Sequence, residues 1–336
     1  MIPTVLLLML CGCGKQAEPA GRSFFALDTY ITVQADGEEA ENALEAVETH
    51  IRAREQQWSV TDPDSEIYAI NHSGGAPATV SADTAQLIQF ALDMSSQTDG
   101  ALDLTIYPVL TAWGFTTGSY HVPAHENLRE LLSMVDYRSV HLQNDTVTIP
   151  AGMQIDLGAT AKGYIGDEAA DLLRGYGVVS ALINLGGNVQ AIGTKPDGSP
   201  WRIGVRNPFA DGNLGVLEIA DMAVVTSGGY ERFFADEAGN TYWHILDPKT
   251  GYPAESGIVS VTVAAPEGKR CDALSTALFV MGPERAVEYW QSHGDFEMLL
   301  ILADGRIWLT DGLEEAFTLS EKETDREVTV IRHETK

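Results

Sequence analysis

Cysteine is scarce. The 336-residue chain has three, Cys11 and Cys13 near the amino end and Cys271 in the body. A single body cysteine cannot form an internal disulfide there, and no Cys/His cluster has zinc spacing. Stability must therefore come from an apolar core, for which a hydrophobic content of 44% is sufficient. Basic residues are few as well: 21 Lys and Arg against 48 Asp and Glu leave a formal net charge of -27. A field of that sign repels nucleic acid and excludes it as a partner. It also repels an anionic nucleotide unless a local cation compensates, so a nucleotide site here is expected to carry a metal. There is no Walker loop, no dinucleotide-binding glycine fingerprint and no Gly-x-Ser-x-Gly elbow. No internal repeat and no linker divides the chain.

The apolar run Val5 to Leu10 is too short to span a bilayer. It reads as the core of an export signal, and Leu10-Cys11-Gly12-Cys13 has the form of a bacterial lipoprotein box. Residues 1–12 are then a signal peptide, and Cys13 is the acylated residue. Residues 13–23 form a tether, 24–320 one domain, and 321–336 a charged tail expected to fray from Ser320. The protein is expected to be exported and lipid-anchored to the bacterial cell membrane on its extracytoplasmic face.

Phe24–Val33 reads as one strand, and Glu38–Trp58 as a helix with Ala43, Leu44, Val47 and Ile51 on one stripe. Ser65 can cap a following helix, Thr84–Ser96 is amphipathic, and Tyr137–Ile149 is a hairpin turning at Asn144-Asp145. A helix over Thr160–Arg174 is stopped by Gly175 and Gly177. Strands follow at 181–185, 189–193, 201–206, 215–219, 223–226 and 258–264. Helices at Asp272–Met281 and Glu284–His293 precede a hairpin across Asp304-Gly305. Strands and helices mix without strict alternation, so the expected class is α+β.

Several stretches have chemistry-bearing residues at useful spacing. Asp272 and Thr276 are four apart, with Ser275 between them, which gathers a carboxylate and hydroxyls on one helix face. Hard cations prefer that oxygen set; on spacing alone, an Asp272 acting only as a helix cap is the favoured reading. In Asp156-Leu157-Gly158-Ala159-Thr160-Ala161-Lys162, a sharp turn into a helix offers amides and a lysine to an anion, or is an ordinary β-α turn. His244, ahead of the Asp247-Pro248-Lys249-Thr250-Gly251 turn, is either a proton acceptor at a rim or a packed histidine. Thr226-Ser227-Gly228-Gly229-Tyr230 supplies hydroxyls and glycines, and Asn184 to Asn188 a tight glycine turn.

In order along the chain, FFALDTYITV, DPDSEIYAIN, TDGALDLTIYPVLTAWGF, QIDLGATAKGYIGD, INLGGNV, VVTSGGYERFF, HILDPKTGYP and CDALSTALFVMG closely resemble the ApbE family of bacterial FAD:protein FMN transferases. The resemblance runs from Phe24 to about Gly282. It implies an α+β, T-fold-related architecture of mixed and antiparallel sheets with packed helices. It implies FAD as substrate, bound as a magnesium complex. The metal would be held by the Ala159 carbonyl and the side chains of Asp272 and Thr276, with Ser275 where many members place another oxygen ligand. Asp156, Lys162, Ile245 and Ala101-Leu102-Asp103 match FAD-contacting positions, Leu27 and Thr61 match two more, and His244 matches the catalytic histidine. Leu27-Asp28 stands where many members have Met-Gly, Cys271 where alanine is usual, and Ser275 where some have an acidic residue. The implied reaction moves FMN from FAD to a Thr or Ser hydroxyl of an acceptor flavoprotein subunit and releases AMP. Two other readings compete: an FAD pyrophosphatase using water, and a non-catalytic flavin-binding lipoprotein.

Overall fold

The computed structural model describes residues 19–334; the expected signal segment and Cys13 lie outside the described residues. β1 (Ala20–Ala26) and β2 (Thr29–Asp36) pair antiparallel. This corrects the reading of Phe24–Val33 as one strand. Leu27 and Asp28 take left-handed backbone, φ 54° and 55°, the two-residue turn whose twist suits a hairpin. The buried positions are Phe24 and Ala26 before the turn, Ile31 and Val33 after it. That shift from even to odd phase is the sign of the break in the sequence itself.

α1 (Ala40–Trp58) buries Ala43, Leu44, Val47 and Ile51, as their spacing required. α2 (Glu66–Asn71) begins where Ser65 Oγ accepts the Tyr68 amide at 2.9 Å. Past β3 (Ala78–Thr79), Ser81 caps α3 (Ala82–Gln97). Two short helices absent from the sequence reading follow, α4 (Tyr107–Ala112) and α5 (His125–Leu132). β4 (His141–Gln143) and β5 (Thr146–Thr148) form the expected hairpin. Then come α6 (Ala161–Gly175), β6 (Ser180–Leu185), β7 (Asn188–Ile192), β8 (Trp201–Arg206), β9 (Asn213–Ile219) and β10 (Ala223–Gly228). The short hairpin of β11 (Phe233–Ala235) and β12 (Thr241–Trp243) precedes β13 (Ile258–Ala265), α7 (Gly268–Met281) and α8 (Pro283–His293). β14 (Glu297–Leu302), β15 (Ile307–Thr310), β16 (Phe317–Leu319) and β17 (Val328–Ile331) complete the order.

Nine strands build the central sheet in the order β1-β2-β6-β7-β10-β13-β14-β15-β17. Its neighbours are antiparallel except β17, which runs parallel to β15. The expectation that the tail frays from Ser320 is therefore corrected through Ile331: Val328–Ile331 closes the sheet edge. The mixed sheet with packed helices is the α+β class read from the sequence. Val225, Val263 and Leu300 face α7 in one buried cluster, whereas Val224, Ala264 and Leu299 face the small sheet β16-β9-β8. Alternate residues of the same strands thus serve two cores. A smaller cluster joins α4 and α5 to the β11–β12 hairpin through Val109, Trp113, Phe115, Phe234 and Tyr242. Among the described residues no helix is long and apolar enough to cross a membrane.

α6 and α7 cross with their backbones almost in contact. A Cβ added to Gly163 would lie 2.2 Å from the Gly268 carbonyl oxygen. Gly163→Ala must therefore push the helices apart. It should destabilise the protein by about 1–3 kcal/mol, seen as a lower denaturant midpoint; an unchanged midpoint would contradict this crossing.

Candidate active site

The turn ahead of α6 is held at both ends. The Asp156 amide donates to the Leu104 carbonyl at 2.8 Å, and Asp156 Oδ1 accepts the Gly158 amide at 2.7 Å. The Leu157 carbonyl accepts from Thr160 and Ala161 at 2.9 and 2.7 Å and so starts the helix. Ala159 sits inside this turn and packs against the cluster beneath α7. Ala101, Leu102 and Ile245 are buried in that same cluster. Asp103 is buried, and its carboxylate is committed to the fold. Oδ1 accepts the Thr105 amide and hydroxyl at 2.9 and 2.6 Å, and Oδ2 the Tyr137 amide at 3.1 Å. Burial raises its proton affinity against these bonds.

Asp272 lies in the second turn of α7, because the helix starts at Gly268 rather than at Asp272 as the sequence suggested. A helix cap is therefore not its role. Its Oδ2 accepts the Gly163 amide at 2.8 Å, and its Oδ1 has no hydrogen-bond partner among the described residues. The fully buried Ser275 donates to the Asp272 carbonyl at 2.9 Å and lies 2.8 Å from Ser227 Oγ. Thr276 Oγ1 lies 3.4 Å from the same Ser227 hydroxyl. No group of three or more His, Cys, Asp or Glu side chains suited to a metal occurs among the described residues. The candidate donors are instead one carboxylate, hydroxyls and a carbonyl, an all-oxygen set suited to a hard cation.

His244 follows β12 directly. Its amide and its Nδ1 both meet the Arg232 carbonyl, at 3.1 and 3.2 Å. A carbonyl only accepts, so Nδ1 is assigned the proton of the neutral ring and Nε2 is left as the acceptor. The Phe115 ring lies edge-on to the imidazole at 6.3 Å. Burial lowers the imidazole's proton affinity and the Arg232 carbonyl opposes this; the charges of Arg232 and Lys162 lower it further, to about 4. The same two cations act on Asp156, whose proton affinity burial raises while the Gly158 amide, Lys162 and Arg232 oppose. Neither Lys162 nor Arg232 takes part in an ion pair among the described residues. In a chain of net charge -27, two cations acting on one histidine are a local exception to the acidic field and suit an anion.

The structure thus gathers Asp156, Lys162 and His244 by charge, and Ala101, Leu102, Ala159, Ile245 and α7 by packing. Leu27 and Thr61 make their hydrogen bonds elsewhere. The Leu27 amide donates to Glu55 Oε1 at 2.6 Å, and the Thr61 hydroxyl lies 3.2 Å from Ser59 Oγ. Neither hydrogen-bonds to Asp156, His244 or Asp272. Arg232 and the contacts of Ser227 were not singled out from the sequence. Both lie in the block VVTSGGYERFF, but Arg232 meets His244 only through β11–β12 pairing, which twelve residues of separation conceal.

Fold and site together define an α+β enzyme with an oxygen-rich face on α7 and, at His244, the charges of two cations that form no ion pair among the described residues. A model of the ApbE family matches residues 27–300. The FAD:protein FMN transferase of Treponema pallidum is 34% identical, over 92% of this chain and 93% of that protein. That of Escherichia coli K12 is 30% identical over 94% and 96%. Among solved structures, the ApbE protein of Thermotoga maritima matches with a TM-score of 0.84 at 33% identity, covering 89% of this chain and 99% of that one. The flavin transferase ApbE of Vibrio cholerae matches at 0.80 and 26% over the same shares, 89% and 99%. The chain belongs to the ApbE family.

The histidine's setting has a direct consequence. In the ligand-free protein the His244 imidazole should titrate near 4, well below the ordinary value of about 6.5, and Lys162→Ala should move it upward. NMR titration of the ring checks this, and a midpoint near 6.5 contradicts the described burial.

Proposed function

We propose that this chain transfers FMN from FAD to a Thr or Ser hydroxyl of an acceptor flavoprotein, with magnesium on the pyrophosphate and AMP as the leaving group. Family membership makes it a flavin transferase; the metal, the acceptor hydroxyl and the leaving group are the finer part of the reading. The observation that carries it is His244, with Nδ1 committed to the Arg232 carbonyl, Nε2 without a hydrogen-bond partner among the described residues, and the ring within the field of Lys162 and Arg232.

The residues present fit magnesium. Asp272 Oδ1 is uncommitted while Oδ2 is anchored by Gly163, and Thr276 follows one turn later on the same helix. These two and the Ala159 carbonyl would hold the ion. Ser275, buried between the Asp272 carbonyl and Ser227, would keep both ligands in register. When bound, the ion neutralises pyrophosphate charge and stabilises the departing phosphate. Lys162 and Arg232 bind the same anion from the histidine's side. The apolar wall of Ala101, Leu102 and Ile245 bounds the site and excludes water.

His244 Nε2 takes the proton of the acceptor hydroxyl as its oxygen bonds to the FMN phosphorus. The bond from that phosphorus to the bridging oxygen breaks, and AMP departs with the electron pair. The proton then passes from His244 to AMP or solvent. In the free protein the imidazole is a weak base, because burial and the two cations hold it near 4. A bound pyrophosphate offsets those cations and raises its proton affinity toward the useful range. The acid limb of kcat should accordingly lie at higher pH than that of kcat/KM.

Acylation at Cys13 would keep the enzyme at the extracytoplasmic membrane face, near a membrane-bound acceptor. Cys13→Ser should release the protein into the soluble fraction, and retention in the membrane fraction would refute the anchor.

His244→Ala should lower FMN transfer by on the order of 10²–10⁴-fold and leave FAD binding intact. Mass spectrometry of a co-expressed acceptor reads the transfer, and an unchanged rate removes His244 from the mechanism. Fast AMP release without acceptor would assign the site to a pyrophosphatase. FAD that stays intact with both metal and acceptor present would leave only a carrier.

A further inference from the structure

Each of the two crossing helices supplies a carboxylate to the backbone of the other. Asp167 on α6 accepts the Gly268 amide at 2.6 Å through Oδ1 and the Lys269 amide at 3.0 Å through Oδ2. Asp272 on α7 accepts the Gly163 amide at 2.8 Å. Each aspartate lies four residues, about one turn, beyond its own helix's crossing glycine. The result is a reciprocal clasp over the Gly163–Gly268 contact.

Asp167 takes the place of a local cap. Glu267, which precedes α7, makes no side-chain cap bond, so the first amides of α7 are satisfied from α6 instead. Their partial positive charge suits a carboxylate there. Gln190 of β7, itself buried, packs into the crossing: its Oε1 would lie 3.2 Å from a Cβ at Gly166 of α6 and 2.8 Å from one at Gly268 of α7. The first turn of α7 is therefore tied to α6, and α6 packs on the sheet. Two residues ahead of α6 lies Ala159, and one turn into α7 lies Asp272.

We propose that Asp167 is a positioning residue of the metal site: by tying the first turn of α7 to α6 it sets where Asp272 Oδ1 lies relative to the Ala159 carbonyl. This rests on the assignment of Ala159, Asp272 and Thr276 as metal donors. Without Asp167, α7 is joined to α6 by the Gly163–Asp272 bond and packing alone. Asp272 then has to hold the backbone and the cation while its helix is free to shift. A cap that only stabilised the fold would change the thermal midpoint and leave cation affinity alone.

Mn²⁺, a spectroscopically visible stand-in for magnesium, is titrated by electron paramagnetic resonance into full-length protein with FAD and without acceptor. Wild type, Asp167→Ala and Asp167→Asn are compared with Ser81→Ala, which removes the α3 cap. Asp167→Ala should weaken Mn²⁺ binding by about 10–100-fold, the usual effect of losing a group that orients a ligand. Asp167→Asn, which keeps one accepting oxygen, should fall between it and wild type, and it carries the test if the alanine variant does not fold. Ser81→Ala should lower the thermal midpoint with Mn²⁺ affinity unchanged. If wild type binds Mn²⁺ and both Asp167 variants bind it equally well, the positioning role is overturned. If wild type binds none, the metal assignment itself fails.

Discussion

The close crossing of α6 and α7 is the constraint on which the site depends. Two glycines at the contact let backbone meet backbone, and a carboxylate from each helix satisfies amides of the other. Packing of this kind is intolerant, because a single added methyl group has no space to enter. That intolerance has a use. It places the turn at Ala159 and the helix bearing Asp272 and Thr276 in one fixed relation, although more than a hundred residues separate them in the chain. The nine-stranded sheet lies underneath, and its buried Gln190 packs from β7 against both helices at the crossing.

Electrostatics then distinguishes the site from the rest of the surface. The protein as a whole repels anions, yet Lys162 and Arg232, which have no ion-pair partner among the described residues, both act on His244 and Asp156. Most other basic side chains are paired, as Arg54 is with Asp83 and Glu168. An anionic ligand would meet two compensating charges there, and a bound cation would add to them. Burial, with these charges added to it, lowers the imidazole's proton affinity, and in the proposed reaction a bound anion would offset the charges and strengthen the base.

The fold was largely legible in the strong periodicities. The stripe of α1, the Ser65 cap and the β4–β5 hairpin stand where the residues implied. The failures have physical reasons. The β1–β2 turn is made by Leu27 and Asp28 rather than by glycine or asparagine, so only the shift in apolar phase marks it. The start of α7 was placed too late because its cap comes from Asp167 on another helix, which no local pattern reveals. β17 hides in the tail because four residues, Val-Thr-Val-Ile, set among charged neighbours form a strand only when a sheet edge receives them.

For the site, residue identity was settled along the chain and arrangement was not. A carboxylate with a hydroxyl one turn on, a turn rich in amides before a lysine, and a histidine ahead of a tight turn are local facts, set by the spacing of covalent neighbours. Ordered blocks of such residues were enough to indicate the family. The tertiary structure decided which of these groups keep a free atom. Among the described residues it left Asp272 Oδ1 and His244 Nε2 without partners, closed Asp103 into internal hydrogen bonds, and brought in Arg232 and Asp167. Hydrogen-bond capacity is consumed by whichever partners folding brings within about 3 Å, and those partners are distant in sequence.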